Sequence, residues 1–78
     1  MENFSTIYVN AVIINNTKNE FIMDYIFAMS ESDKNNILSR IIQSPEHTKR
    51  INNLLTKMIK DYEEKYGEIK IEEKEEKK

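Results

Sequence analysis

Four basic side chains near the middle of the chain could together bind an anion. His47, Lys49 and Arg50 follow residues 44–45 (Ser-Pro), a pair typical of a helix start, and Arg40 precedes it. Free backbone N–H groups and the helix dipole favour negative charge at such a terminus. The residue types therefore allow an anion site or a partner contact here. Alternatively, His47 packs at the helix start and hydrogen-bonds the end of a sheet.

Two opposite charges sit among apolar neighbours in segments typical of β-strands. Asp24 lies between Met23 and Tyr25, and Arg40 is followed by two isoleucines. Since a buried charge needs a partner, we expect Asp24 and Arg40 to form an ion pair. The pair could orient a ligand, or it could fix the strand register or a dimer interface. Glu20 is the nearest acidic neighbour of Asp24, but two carboxylates without His or Cys make a poor metal site.

Aromatic and basic residues recur at helical spacing in the C-terminal half. Tyr62 and Tyr66 are one turn apart, so they either close the end of a core or stack on a base or peptide. Four basic residues on the helix of this half either form a solvated surface or a weak nucleic-acid groove, which a dimer would double. They are Lys49, Arg50, Lys57 and Lys60.

The composition excludes several catalytic classes. The chain of 78 residues has no Cys, one His and one Gly. It therefore has no thiolate nucleophile, no cysteine-ligated metal site, no histidine-pair metal motif and no glycine-rich phosphate loop. No nucleophile paired with a base can be named either. We expect a protein that is not an enzyme and needs no cofactor.

The charge distribution is uneven although the formal net charge is only −2. A basic stretch over residues 44–60 precedes an acidic C-terminal region, and residues 72–78 contain only Glu and Lys. Such a segment buries no apolar surface, so we expect a disordered tail after a single domain over residues 1–71. No apolar run reaches the length of a membrane span, and the start lacks the basic region of a signal peptide. A cytoplasmic location without membrane contact is the resulting expectation.

The elements that must position these residues follow from hydrophobic periodicity. Three strands are predicted at residues 6–14, 20–27 and 36–43, joined by a hairpin turn at 15–19 and a polar loop at 28–34. A helix of about 22 residues then begins at Pro45 and ends before Gly67. The prediction is an α+β fold: a three-stranded antiparallel meander followed by one long C-terminal α-helix packed on one face.

The strands are apolar on both sides, which a single helix cannot cover. The uncovered face would expose a large apolar patch, and monomers rarely tolerate one. A domain over residues 1–71 without disulfides or metal also has a small core. We therefore predict a homodimer formed through the sheet or an edge strand; alternatively, one strand is really a helix. The predicted dimer-face residues are Val12, Ile14, Ile22, Ile26, Leu38 and Ile42.

Four blocks of the chain resemble a known family, named only as domain of unknown function 3467. They are residues 8–12 (YVNAV), 19–25 (NEFIMDY), 39–50 (SRIIQSPEHTKR) and 62–69 (YEEKYGEI). Residues 28–34 depart from the Pro-Gly-containing loop of that family. The resemblance implies a small bacterial, archaeal or phage protein, and it brings no established activity, cofactor or catalytic residue.

Two functions remain open from the sequence. The first is a small regulatory module that acts as a homodimer and binds another protein, as an adaptor or as an inhibitor carried by a phage or mobile element. The second is a weak nucleic-acid-binding protein that uses the basic helix over residues 45–60.

Overall fold

The structure is a computed structural model that describes residues 3–72. Its elements are β1 (Ala11–Asn16), β2 (Phe21–Ile26), a short 3₁₀-helix (Glu31–Asn35), β3 (Ile37–Gln43) and α1 (Pro45–Tyr66). The strands form one antiparallel sheet in the order β1-β2-β3. The predicted order of three meandering strands and one helix is confirmed. Most of the predicted tail, residues 73–78, lies outside the described part of the chain.

The first strand begins five residues later than predicted, and the side chain of Asn10 explains why. Its amide NH₂ donates to the carbonyl of Ala28 at 2.9 Å, and its amide oxygen accepts from the N–H of Ala28 at 2.8 Å. The side chain thus takes both hydrogen bonds that a backbone neighbour would make in a ladder. The residues before Asn10, although rich in β-branched and aromatic types, lie outside β1.

The hairpin between β1 and β2 is closed by a threonine. The hydroxyl oxygen of Thr17 accepts from the N–H groups of Asn19 and Glu20, at 3.2 and 3.1 Å. The N–H of Thr17 also donates to the carbonyl of Glu20 at 2.9 Å. Asn15 and Asn16, predicted to lie in the turn, are the last two residues of β1. The loop therefore has four residues, 17–20, in place of the five predicted.

The polar segment after β2 contains one 3₁₀-helix, which the predicted loop omitted. The carboxylate of Asp33 accepts hydrogen bonds from the N–H groups of Met29 and Ser30, at 2.9 and 3.2 Å. An acidic side chain that accepts from the backbone at a helix start satisfies donors that the helix leaves free. This contact holds the segment that leads into β3.

The helix has the bounds that its terminal residues predict. At its start, the hydroxyl of Ser44 accepts from the N–H of His47 at 3.1 Å, which is an N-cap contact. At its end, Gly67 has a φ of 103°, and its N–H donates to the carbonyl of Glu63 at 2.9 Å. A positive φ favours glycine, so Gly67 ends the helix in a left-handed cap.

Burial within the described residues is slight. Among hydrophobic side chains only Ile26, on the central strand, is buried, with 1% of its surface exposed. No residue of α1 is buried. The chain divides into two compact units, the sheet with residues up to Thr48 and the helix from Lys49 onward. Packing of the helix on a sheet face stays a prediction.

Candidate functional site

Asp24 and Arg40 form a bidentate ion pair across β2 and β3. They are direct partners in the antiparallel register. The Nε of Arg40 donates to Oδ1 of Asp24 at 2.7 Å, and Nη2 donates to Oδ2 at 3.1 Å. Two parallel bonds of this kind are stronger and more directional than a single contact. The ion pair expected from the sequence is therefore present in the sheet.

The two partners differ in exposure. Asp24 is buried, with 6% of its surface exposed, whereas 56% of the Arg40 side chain is accessible. The hydrogen bonds from Arg40 hold the pKa of Asp24 below its ordinary value of 3.8, and the guanidinium charge acts in the same direction. Burial of the carboxylate acts against them. Asp24 thus stays ionised beneath a guanidinium that solvent or a partner can reach.

The face of the sheet around this pair is mostly apolar, with Asn15 opposite Ile22 as a further polar side chain, and we call it the ion-pair face. Directly opposed residues share a face, so Ile13 lies beside Asp24 on β1, and Ile22 lies beside Ile42 one step along the strands. Ile13 and Ile42 are exposed. A partner on this face would meet hydrophobic side chains around one charge-balanced pair.

The register corrects the predicted dimer face. Val12 is opposite Tyr25, and Ile14 is opposite Met23. Val12 and Ile14 therefore lie on the face opposite to Ile22 and Ile42, so the six predicted residues do not form one surface. Two further residues of the predicted dimer face differ from the expectation. Ile26 is buried. Leu38 lies at a β-bulge, because Tyr25 is opposite Ser39 whereas Ile26 is opposite Ile37.

The second face of the sheet carries a groove shared with the N-terminal segment. Ser5, Ile7 and Val9 line it together with Tyr25, Ser39 and Ile41, and its volume is 320 Å³. The redirection of the chain at Asn10 thus brings residues that were predicted as strand over the sheet. Residues of the sheet alone do not account for this surface.

The predicted anion site of Arg40, His47, Lys49 and Arg50 stays a prediction. Arg40 binds Asp24, and the side chains of His47, Lys49 and Arg50 are all exposed. On a helix, His47 and Lys49 are two residues apart and so point about 200° from each other around the axis. The backbone N–H of His47 donates to Ser44, as expected for an N-capped first turn. Among the described residues no group of three or more His, Cys, Asp or Glu could hold a metal ion.

A continuous apolar stripe runs along α1, and we call it the helix stripe. The sequence predicts the spacing of these apolar residues but not their exposure to solvent. Leu54, Leu55, Met58 and Ile59 each expose more than two-fifths of their surface. The full stripe comprises Ile51, Leu54, Leu55, Met58, Ile59, Tyr62 and Tyr66.

The C-terminal end of the stripe forms a groove that the sequence reasoning missed. Met58, Ile59, Tyr62, Tyr66 and Ile69 line it together with two charged residues, and its volume is 430 Å³. The rings of Tyr62 and Tyr66 are 4.9 Å apart at 50°. The N–H of Ile69 donates to the Glu63 carboxylate at 3.0 Å, which holds the residues after Gly67 beside the helix. Nothing in the sequence signals this contact, because the position at which a hydrophobic residue usually accompanies such a cap is occupied by Glu68.

Within residues 3–72 no helix has the length and hydrophobicity that a bilayer crossing requires. Comparison with known proteins gives one family: the model described as protein of unknown function (DUF3467) matches residues 1–71 of the chain. No curated protein and no solved structure matches.

Proposed function

The chain belongs to the DUF3467 family, and we propose that it is a non-enzymatic interaction module, a homodimer that binds another protein. The observation that carries the proposal is the exposure of its hydrophobic side chains. In the described residues twenty large hydrophobic side chains are exposed, whereas Ile26 is the one hydrophobic residue that is buried. Exposed apolar area of this extent is typical of surfaces that bind a partner.

The energetic reason is the size of the core. Burial of apolar surface is the main favourable contribution to folding, at about 25 cal/mol per Å². A subunit in which Ile26 is the one fully buried hydrophobic side chain among the described residues, and a few others such as Phe21 and Ile22 are half-buried, gains less from this source than a larger core would give, so association should add to its stability. Closed two-fold dimers are the commonest assembly of identical chains. The homodimer therefore supplies the burial that the single chain lacks.

The ion-pair face supports the second part of the proposal, binding of another protein. Its exposed isoleucines surround Asp24 and Arg40, whose charges cancel, so a partner need not supply a counter-charge. An exposed arginine beside hydrophobic residues is also a composition enriched at protein interfaces. In the cell we place this module in the cytoplasm of a prokaryote or in a phage-infected host.

The oligomeric state tests the homodimer. Sedimentation equilibrium of the full chain, from about 1 to 100 μM, should give the mass of two chains over most of this range. A mass of one chain at every concentration, with the circular dichroism of a folded protein, would show that the homodimer is wrong.

Substitution on the ion-pair face tests binding of another protein. A tagged wild-type chain should recover a host protein that the variant Ile42→Lys fails to recover, while the variant Asn53→Lys on the helix recovers it normally. Equal recovery by both variants would exclude this face as the binding surface. The variants share the same added charge, so a general charge effect is controlled.

One observation favours a second function, binding of a nucleic acid. Lys49, Lys57 and Lys60 are exposed on α1, and at 100° per residue they lie outside the helix stripe on one side of the axis. A gel shift with a short duplex DNA and a single-stranded RNA, at low and at physiological salt, tests it. Binding that weakens steeply with salt, and further in the variant Lys57→Glu, would favour this function.

A further inference from the structure

We propose that the second copy binds through α1, with the two helices antiparallel about a two-fold axis near Met58 and Ile59. This inference rests on the proposed homodimer and adds the interface, the occupant and the orientation. The helix stripe runs along most of α1, which is amphipathic, and no residue of α1 is buried. A helix of this kind gains its stability from packing of the apolar face, and a second such helix offers a matching face.

The charges along α1 favour one orientation. Its first sixteen residues, 45–60, carry four basic side chains and one acidic one, Glu46. The following residues, 61–72, carry five acidic side chains and two basic ones. Packed helices lie 8–10 Å apart, which is about one Debye length at physiological salt, so these charges are not fully screened. Antiparallel helices bring the basic N-terminal part of each α1 toward the acidic residues at and after the end of the other α1, whereas parallel helices oppose like charges.

The apolar and charge patterns have nearly the same centre. The helix stripe extends from Ile51 to Tyr66, so its midpoint lies between Met58 and Ile59. The charge changes sign between Lys60 and Asp61, two residues further on. A two-fold axis at this position aligns the stripes along their full length and brings Lys49 of one copy level with Glu68 of the other, whereas Lys57 and Lys60 then lie opposite each other near the axis. Different side chains set the two patterns, so the closeness of their centres favours the antiparallel arrangement.

Individual side chains fit the same axis. Lys57 and Asp61 lie on the same edge of the stripe, one turn apart. Rotation about an axis between positions 58 and 59 places Leu55 of one copy opposite Tyr62 of the other, at the groove of 430 Å³ that Tyr62, Tyr66 and Ile69 line. Leu55 of one copy would therefore insert into the groove of the other, as in knobs-into-holes packing. In this alignment Lys57 of one copy lies within one residue, about 1.5 Å along the axis, of Asp61 of the other.

Thiol cross-linking tests the orientation, because the chain has no cysteine and any introduced thiol is unique. An equimolar mixture of the variants Ile51→Cys and Tyr66→Cys, one carrying a mass tag, should form a mixed disulfide dimer on mild oxidation. Each variant alone should not, since fifteen residues of helix separate the two positions by about 22 Å. The control Asn53→Cys, on the side away from the stripe, should remain monomeric on a non-reducing gel.

The outcomes separate this inference from the homodimer itself. A self-linked Ile51→Cys dimer means parallel helices and overturns the inference. A wild-type dimer in sedimentation, without the mixed disulfide, means that the copies meet elsewhere; the inference then falls and the homodimer stands. A wild-type monomer overturns both. A nucleic-acid or other protein bound to the stripe would appear as a complex of the wild-type monomer and likewise overturn the inference.

A charge substitution gives an independent measurement. The variant Leu55→Lys should raise the dimer dissociation constant about tenfold or more, because it places a charge in the groove of the other copy. The matched variant Asn53→Lys should leave it unchanged. Equal dissociation constants for the two variants, with helix content intact by circular dichroism, would contradict pairing through the stripe.

Discussion

Asp24 and Arg40 are direct cross-strand partners, yet the carboxylate is buried and the guanidinium is exposed. Because of this difference in exposure, removal of either residue should have a different effect on stability. Loss of Arg40 leaves a buried carboxylate without its donors, whereas loss of the Asp24 charge leaves a cation that water can solvate. An unpaired buried charge is the costlier of the two.

The variant Arg40→Met should therefore lower the thermal midpoint more than Asp24→Asn. We expect a fall of several degrees for Arg40→Met, which keeps the apolar stem, and a smaller fall for Asp24→Asn. The double variant should resemble Asp24→Asn alone, because no buried charge is left unpaired. Circular dichroism melting at one fixed chain concentration measures all three. A larger loss in Asp24→Asn than in Arg40→Met would contradict the burial argument.

Stability should also fall in acid because of Asp24. Hydrogen bonds from Arg40 lower its pKa in the folded chain below the ordinary value of 3.8. The ionised carboxylate thus contributes stability that is fully present above pH 3.8 and is lost as the pH falls from there through the folded pKa. Urea unfolding between about pH 6 and pH 2 should show wild type and Asp24→Asn converging at the acid end. A constant difference over this range would rule out the titration of Asp24 as its source.

The N-cap of α1 should be measurable by one substitution. The variant Ser44→Ala removes the acceptor for the N–H of His47 and should cost about 1 kcal/mol in the free energy of unfolding. Thr56 is the matched control: its hydroxyl donates to the carbonyl of Asn52 within the helix, and alanine is a better helix former there. Thr56→Ala should not lower the free energy of unfolding. Denaturation with urea measures both variants.

The effect of substituting Gly67 should come from its backbone conformation and not from a steric clash. Nothing lies within 4 Å of a Cβ placed on Gly67, but its φ of 103° disfavours any L side chain. The variant Gly67→Ala should therefore cost about 1–2 kcal/mol. It should also release Ile69 from Glu63, which amide hydrogen exchange at Ile69 would detect as faster exchange. Gly67→Asn should lose less, since asparagine tolerates the left-handed region better. Unchanged exchange in Gly67→Ala would refute the role of the cap.

The helix could be predicted from the sequence because its determinants are local. Ser44 and Pro45 begin it, Gly67 ends it, and the apolar spacing lies between them, all within one stretch of chain. The ion pair could also be predicted, because a charge buried in an apolar strand is costly unless an opposite charge lies beside it. What remained open was whether other surfaces cover the helix stripe, since periodicity identifies an apolar face but not what lies against it.

The composition of the sheet faces could not be predicted, because it depends on the length of one loop. A five-residue turn would have put Val12 on the same face as Ile22, but the observed four-residue loop puts Val12 opposite Tyr25. A change of one residue in a hairpin loop exchanges the two faces of a strand. The choice depends on the hydroxyl of Thr17, a weaker turn signal than the neighbouring asparagines.

The amide of Asn10 has a consequence for solubility as well as for the strand that it ends. The segment just before it, residues 6–9 (Thr-Ile-Tyr-Val), consists of types that readily extend a ladder. Since a side chain and not a turn stops β1 there, an apolar residue at position 10 would remove the stop. The edge strand β1 would then extend toward the N-terminus and expose a longer hydrophobic edge. Other chains can pair with such an edge and form fibrils. We therefore expect substitution of Asn10 by an apolar residue to increase aggregation.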